Sequence, residues 1–155
     1  MIRKNVEVLQ EEVSDCGVCS LLSIIKYYGG YESLENLRID SLTTSKGVSA
    51  YNLIECAKKH GFDCVGKKID DIENEILPYI AHIKINNTLS HFVVVYEITE
   101  KFVLIMDPTV GLIKKDVMEF KSDFTGVIID LFPKDLLTMS SISAKYIPKS
   151  SYSSL

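Results

Sequence analysis

The spacing of apolar residues changes once along this chain, at Gly61, and that change limits the folds open to it. Before Gly61 apolar side chains recur every three or four residues, the period of a helix with one buried face. Val18, Leu21, Leu22, Ile25 and Tyr28 predict a helix over about 15–28, with Ser14 and Asp15 as cap residues and Gly29–Gly30 as its stop. A short helix is expected near 33–38. A third, capped by Ser49, turns Leu53, Ile54, Cys56 and Ala57 inward and ends at Gly61. Beyond Gly61 the pattern becomes short β-branched and aromatic runs at 62–69, 78–85, 91–98, 101–108 and 126–132, broken by turn residues. Helices first and strands afterwards is an α+β order, with N-terminal helices packed on a C-terminal antiparallel sheet.

A length of 155 residues suits one domain with a sizeable core. The folded part is expected to span 1–135. The Ser-rich stretch 136–155 carries no core pattern and reads as a linker or tail, leading to a transmembrane region absent from this chain. A net charge of −4 with scattered Lys and Arg argues against nucleic acid as the main partner, because phosphate binding needs a basic surface. No apolar run approaches the roughly 20 residues of a membrane-spanning helix, and the opening MIRKNVEVLQEEV lacks the apolar core of a signal peptide. The domain is therefore expected to fold in the cytosol or on the cytosolic face of a membrane. There Cys16, Cys19, Cys56 and Cys64 would be thiols rather than a disulfide framework.

Three chemistries compete for the stretch Asp15-Cys16-Gly17-Val18-Cys19 at the start of the first helix. A thioredoxin-type dithiol also sits at a helix N-terminus. That motif follows a buried strand, whereas only fifteen mostly polar residues precede Cys16, and no proline occurs between Cys16 and Pro78. A zinc site could be drawn from Cys16, Cys19, Cys56, His60 and Cys64, but neither cluster lies on the tight turns of a zinc knuckle. Cys19, Cys56 and Cys64 read more simply as small buried hydrophobes.

The third chemistry is a cysteine nucleophile, which needs a stabilised thiolate, a base, a group to orient that base, and donors for an oxyanion. Free N–H groups at a helix N-terminus favour negative charge at Cys16. His60, His82 and His91 are the possible bases. His60 ends a helix, His82 alternates within a strand, and His91 opens a strand after the polar turn NNTLS. If the hairpin joining 91–98 to 101–108 has an odd loop centred on Thr99, His91 lies directly opposite Asp107. That would pair a base with its orienter; an even two-residue loop would turn Asp107 to the other face.

These residues together resemble a known family. Gln10 stands six positions before Cys16, within Asp15-Cys16-Gly17, and HFVVV at 91–95 and Asp107-Pro108 follow. With GVSAYNL at 47–53, AKKHGF at 57–62, PYIAH at 78–82, DPTVG at 107–111 and FTG at 124–126, they are similar to peptidase family C39. That is the N-terminal cysteine protease domain of bacteriocin- and lantibiotic-processing ABC transporters. The resemblance implies a papain-like fold in which Cys16 is the nucleophile, His91 the general base and then acid, and Asp107 the orienter. Gln10 would give its side-chain amide to the oxyanion hole beside the Cys16 N–H. It implies no cofactor and no metal. The implied partners are a precursor peptide, cut after a Gly-Gly, Gly-Ala or Gly-Ser leader motif, and the transmembrane and nucleotide-binding domains of a transporter. Cys19 departs from the small residue many relatives carry. A non-catalytic leader-binding module and another papain-like amidase or acyltransferase are the alternatives, the first disfavoured because Cys16, His91 and Asp107 are all present.

Overall fold

A computed structural model describes residues 4–134 of the chain, so the expected linker at 136–155 lies outside the described residues. Three helices come first: α1 (Cys16–Tyr27), α2 (Leu34–Ser41) and α3 (Ala50–Lys59). The strands follow as β1 (Phe62–Lys68), β2 (Tyr79–Ile85), β3 (Leu89–Ile98), β4 (Phe102–Asp107), β5 (Gly111–Asp116) and β6 (Phe124–Pro133). A short helix, α4 (Val117–Asp123), links the last two strands. The six strands form one sheet in the order β1-β6-β2-β3-β4-β5, with every neighbouring pair antiparallel. This is the expected α+β class.

Two features were not foreseen from the sequence. β5 has only Leu112 and Ile113 before Lys114 and Lys115, too short an apolar run to stand out. α4 buries a single large residue, Phe120, so it has no repeat to detect. Its cap was legible, however: Asp116 Oδ2 accepts from the N–H groups of Met118 and Glu119 at 3.0 and 3.2 Å, in an Asp-x-x-Glu pattern. The sheet's outer strands β1 and β5 each carry a Lys pair, Lys67–Lys68 and Lys114–Lys115, which discourages pairing with another chain.

Both faces of the sheet are covered. Leu21, Ile24, Leu53 and Phe62 pack with Val94, Tyr96 and Met106 in one cluster under α1 and α3. Tyr79, Val95, Ile105, Phe120 and Ile128 form the second, under α4. Each such side chain removed from water stabilises the fold by about 1.5–3 kcal/mol. Burial on both sides explains why β3 reads FVVVY without polar alternation.

The β3–β4 hairpin departs from the expected register. Ile98 is opposite Val103 and Glu97 opposite Leu104, and the Thr99 N–H donates to Phe102 O at 2.8 Å. The loop is thus the two residues Glu100 and Lys101, not an odd loop centred on Thr99. An even loop alone would separate His91 from Asp107. A β-bulge corrects it: Val95 pairs with Ile105, leaving Tyr96 as an extra residue, and Val94 pairs with Met106. Continuing that register places Val93 opposite Asp107, so His91 and Asp107 are diagonal neighbours on one face rather than directly opposed. Tyr96 is anchored by a 2.7 Å hydrogen bond between its hydroxyl and Ser23 Oγ of α1.

α1 comes close to the sheet and to the loop before α3 at Gly17. A Cβ there would run into Val48 Cγ1 and lie 3.4 Å from Leu53 and 3.5 Å from Phe92. Gly→Ala inside a helix ordinarily gains about 1 kcal/mol, but crowding a packed site costs roughly 1–3 kcal/mol, and the stiff Val48 side chain has little room to turn away. Gly17→Ala is therefore expected to lower the denaturant midpoint at unchanged slope; a raised midpoint would contradict this packing.

Candidate active site

The first helix begins at Cys16, after a 3₁₀ turn at Val13–Asp15. Cys16 is half-buried, and its carbonyl accepts from Ser20 Oγ at 2.8 Å. Asp15 occupies the expected cap position, but its carboxylate makes no capping bond to α1. It turns instead to Arg38 of α2, whose Nε and Nη2 donate to Oδ1 and Oδ2 at 2.9 and 2.6 Å, and to the Glu12 N–H at 3.1 Å. Arg38 hydrogen bonding outweighs burial and holds this carboxyl below the usual range, although Asp15 is only 1% exposed. Asp15 therefore leaves the α1 N–H groups beside Cys16 uncapped, and it fixes the helix start against α2.

His91 stands in β3, two residues after the strand begins at Leu89, and is 5% exposed. Its Nε2 lies 2.7 Å from Asp107 Oδ1, at the end of β4. The same oxygen accepts from the Thr109 N–H at 2.9 Å and from Thr109 Oγ1 at 2.7 Å. Burial works against a charge on His91, but hydrogen bonds to Asp107 and Cys16, with the negative charge of both, push its pKa up to about 9. Burial likewise opposes the Asp107 carboxylate and is outweighed by the donors from His91 and Thr109, which hold its pKa low. With Nε2 given to Asp107, Nδ1 is the ring nitrogen left for Cys16.

Gln10 is joined to the same turn: its N–H donates to Pro108 O at 2.8 Å. Its side-chain Oε1 is buried without a hydrogen-bond partner. The main chain is held while that side-chain oxygen is not.

The other candidates are engaged elsewhere. His60 Nε2 is 2.8 Å from Asp40, and His82 Nδ1 is 3.0 Å from Thr125 Oγ1, with burial lowering the His82 pKa. Burial pushes the Cys19 and Cys64 thiols up to about 12 and Cys56 to about 11. Cys56 Sγ donates to Leu37 O at 3.8 Å. Among the described residues no three His, Cys, Asp or Glu side chains are placed to hold a metal ion, so the zinc set drawn from the sequence is not assembled.

The sequence profile of the peptidase C39 family matches residues 4–135. The chain belongs to the peptidase C39 family. A relative in Lactococcus lactis subsp. lactis, the lactococcin-G-processing and transport ATP-binding protein LagD, is 38% identical over 131 residues. That alignment covers 82% of this chain and 18% of LagD. The transport/processing ATP-binding protein ComA of Streptococcus pneumoniae is 33% identical over 80% of this chain, again covering 18% of the relative. The chain thus spans about a fifth of the length of the curated relatives it matches. The crystal structure of the Streptococcus ComA peptidase domain superposes with a TM-score of 0.76 at 34% identity, over 81% of this chain and 96% of that one. A double glycine motif protease from an AMS/PCAT transporter, solved with its leader peptide, gives 0.76 at 30% identity, over 82% and 90%. The fold is therefore papain-like, and the chain is a cysteine peptidase domain.

Two residues of this C39 domain escaped sequence reasoning. Arg38 sits among polar residues of α2 with no pattern to mark it. Thr109 carried a signal, since Asp-x-Thr is a frequent turn in which the Asp side chain bonds the backbone two residues on.

Arg38 supplies a direct test. Removing one partner of a fully buried ion pair strands the other charge at roughly 3–5 kcal/mol; here Asp15 is buried and Arg38 is 29% exposed, so the lower end applies. Arg38→Met is expected to lose stability of that order at neutral pH. The lowered Asp15 pKa contributes stability above the unfolded value of 3.8, and that contribution is lost as pH falls through the folded value. In the variant, burial favours the protonated carboxyl, so chemical unfolding should show the gap narrowing as pH falls toward about 4 and further below it. A constant gap would mean the pair is not what Arg38 provides.

Proposed function

We propose that this domain removes the leader from a precursor peptide by cutting after a double-glycine-type motif, Gly-Gly, Gly-Ala or Gly-Ser, at the cytoplasmic face of a membrane and in partnership with the transmembrane and nucleotide-binding parts of an ABC transporter. The observation that carries the reading is the 2.7 Å contact of His91 with Asp107, next to Cys16 at the start of α1. Membership of the C39 family, the processing relatives and the leader-bound neighbour support the substrate class.

Cys16 acts as the nucleophile, His91 as the proton carrier and Asp107 as its orienter. The Cys16 sulfur attacks the carbonyl carbon of the last leader residue, and the carbonyl π electrons move to oxygen. The Cys16 N–H and the Gln10 side-chain amide stabilise that oxyanion. As the C–N bond breaks, charged His91 gives its proton to the departing amine of the mature peptide. Neutral His91 then draws a proton from water, whose hydroxide attacks the thioester. The leader leaves with a free carboxylate and Cys16 is restored. Asp107 keeps the ring oriented and favours the imidazolium, and it is not itself protonated.

Incubation with precursor peptides whose leaders end Gly-Gly, Gly-Ala or Ala-Ala ahead of a short mature segment, read by mass, tests the reading. Cleavage is expected after the first two and not the third; absence of cleavage on every such leader would point to another papain-like chemistry. Cys16→Ala should abolish cutting while leader affinity stays within a few-fold, and Cys19→Ala should remain active. Loss of one oxyanion donor typically costs roughly 10²–10³ in turnover. Gln10→Ala is expected to show that loss in single-turnover rate with little change in affinity, and a rate near wild type would remove Gln10 from the site.

A further inference from the structure

We propose that Glu7 is a positioning residue: its carboxylate clips the N-terminal segment to the β4–β5 turn and so sets where Gln10 stands relative to the His91–Asp107 pair. This rests on Gln10 being an oxyanion donor. Glu7 Oε2 accepts from the Leu112 N–H at 2.8 Å, across 105 residues of sequence. The turn is shaped to admit that carboxylate. Gly111 has a φ of +99°, a conformation open to glycine, and a Cβ there would collide with Glu7 Oε2. Three residues further on, the Gln10 N–H donates to Pro108 O at 2.8 Å. One residue earlier, Val6 O accepts from Ser23 Oγ at 2.6 Å, the hydroxyl that also meets Tyr96 at the bulge.

The consequence follows from what Gln10 lacks. Its buried Oε1 has no partner, so no side-chain bond to that atom holds the amide in place. Its position is inherited from the main chain, which is fixed by Glu7 on one side and by its own bond to Pro108 on the other. Pro108 directly follows Asp107. The segment therefore ties the oxyanion donor and the orienting carboxylate to one turn, and Glu7 keeps that segment seated without touching the reacting atoms.

The test uses the full chain and a synthetic precursor peptide whose leader ends Gly-Gly and is followed by a short mature segment. Glu7→Met keeps the length of the side chain and removes the acceptor; Glu7→Gln keeps an acceptor oxygen. Misplacing a group by about 1 Å can cost 10²-fold in rate. Glu7→Met should lower single-turnover cleavage by up to about that factor with leader affinity unchanged, while Glu7→Gln stays near wild type. Gly111→Ala, which crowds the same carboxylate from the other side, should reproduce the defect. In a Gln10→Ala background neither Glu7→Met nor Gly111→Ala should slow cleavage further, which a general loss of stability would not produce. A wild-type rate for Glu7→Met overturns the proposal. Equal slowing by Glu7→Met and Glu7→Gln, or a full loss added to that of Gln10→Ala, overturns it as well. If Gln10→Ala is itself near wild type, the reading of Gln10 fails first and the proposal goes with it.

Discussion

The contact between His91 and Asp107 is the constraint on which the rest of the site depends, and it is a consequence of one extra residue in a strand. With the two-residue turn at Glu100–Lys101, regular pairing would send these side chains to opposite faces of the sheet. Tyr96 shifts the register by one and brings them to the same face. The bulge is held by a core hydrogen bond to Ser23 in the helix that begins with Cys16. Geometry within the sheet and placement of the helix are therefore linked through one buried hydroxyl pair.

Electrostatics then follow from the placement. A buried histidine would ordinarily be neutral, and a buried aspartate would ordinarily take up a proton. Here each supplies what the other lacks, and Thr109 adds two donors to the shared Asp107 oxygen. Asp15 shows the same logic on a structural pair: its burial is tolerated because Arg38 meets both of its oxygens. The two carboxylates differ in task. Asp107 raises the pKa of the His91 ring, whereas Asp15 fixes the start of α1 without consuming its N–H groups.

Much of this was legible from residues alone, because α1 and α3 repeat apolar residues at helical spacing and the central strands are continuous β-branched and aromatic runs. β5 and α4 were not, since an edge strand with a Lys pair and a helix with one buried Phe leave little apolar repeat. Helix α1 was placed to within a residue, yet the task of Asp15 was misread: a cap residue and an ion-pair partner look the same until Arg38 is beside it. The hairpin is more instructive. The expected pairing of His91 with Asp107 rested on an odd loop, and the loop is even; a bulge at an apolar Tyr among valines leaves no mark in sequence. Proximity was inferred through the wrong register. The contacts of Glu7 and Thr109 are backbone-directed, and a periodicity argument does not see them.

In the proposed mechanism His91 is a charged group held between Asp107 and Cys16. Ring-nitrogen NMR titration of His91 measures this directly. The account predicts an imidazolium at neutral pH that loses its proton near pH 9, with the midpoint falling when Asp107 is changed to Asn. A His91 ring already neutral at pH 7, titrating near the ordinary value of 6.5 and indifferent to Asp107, would contradict it.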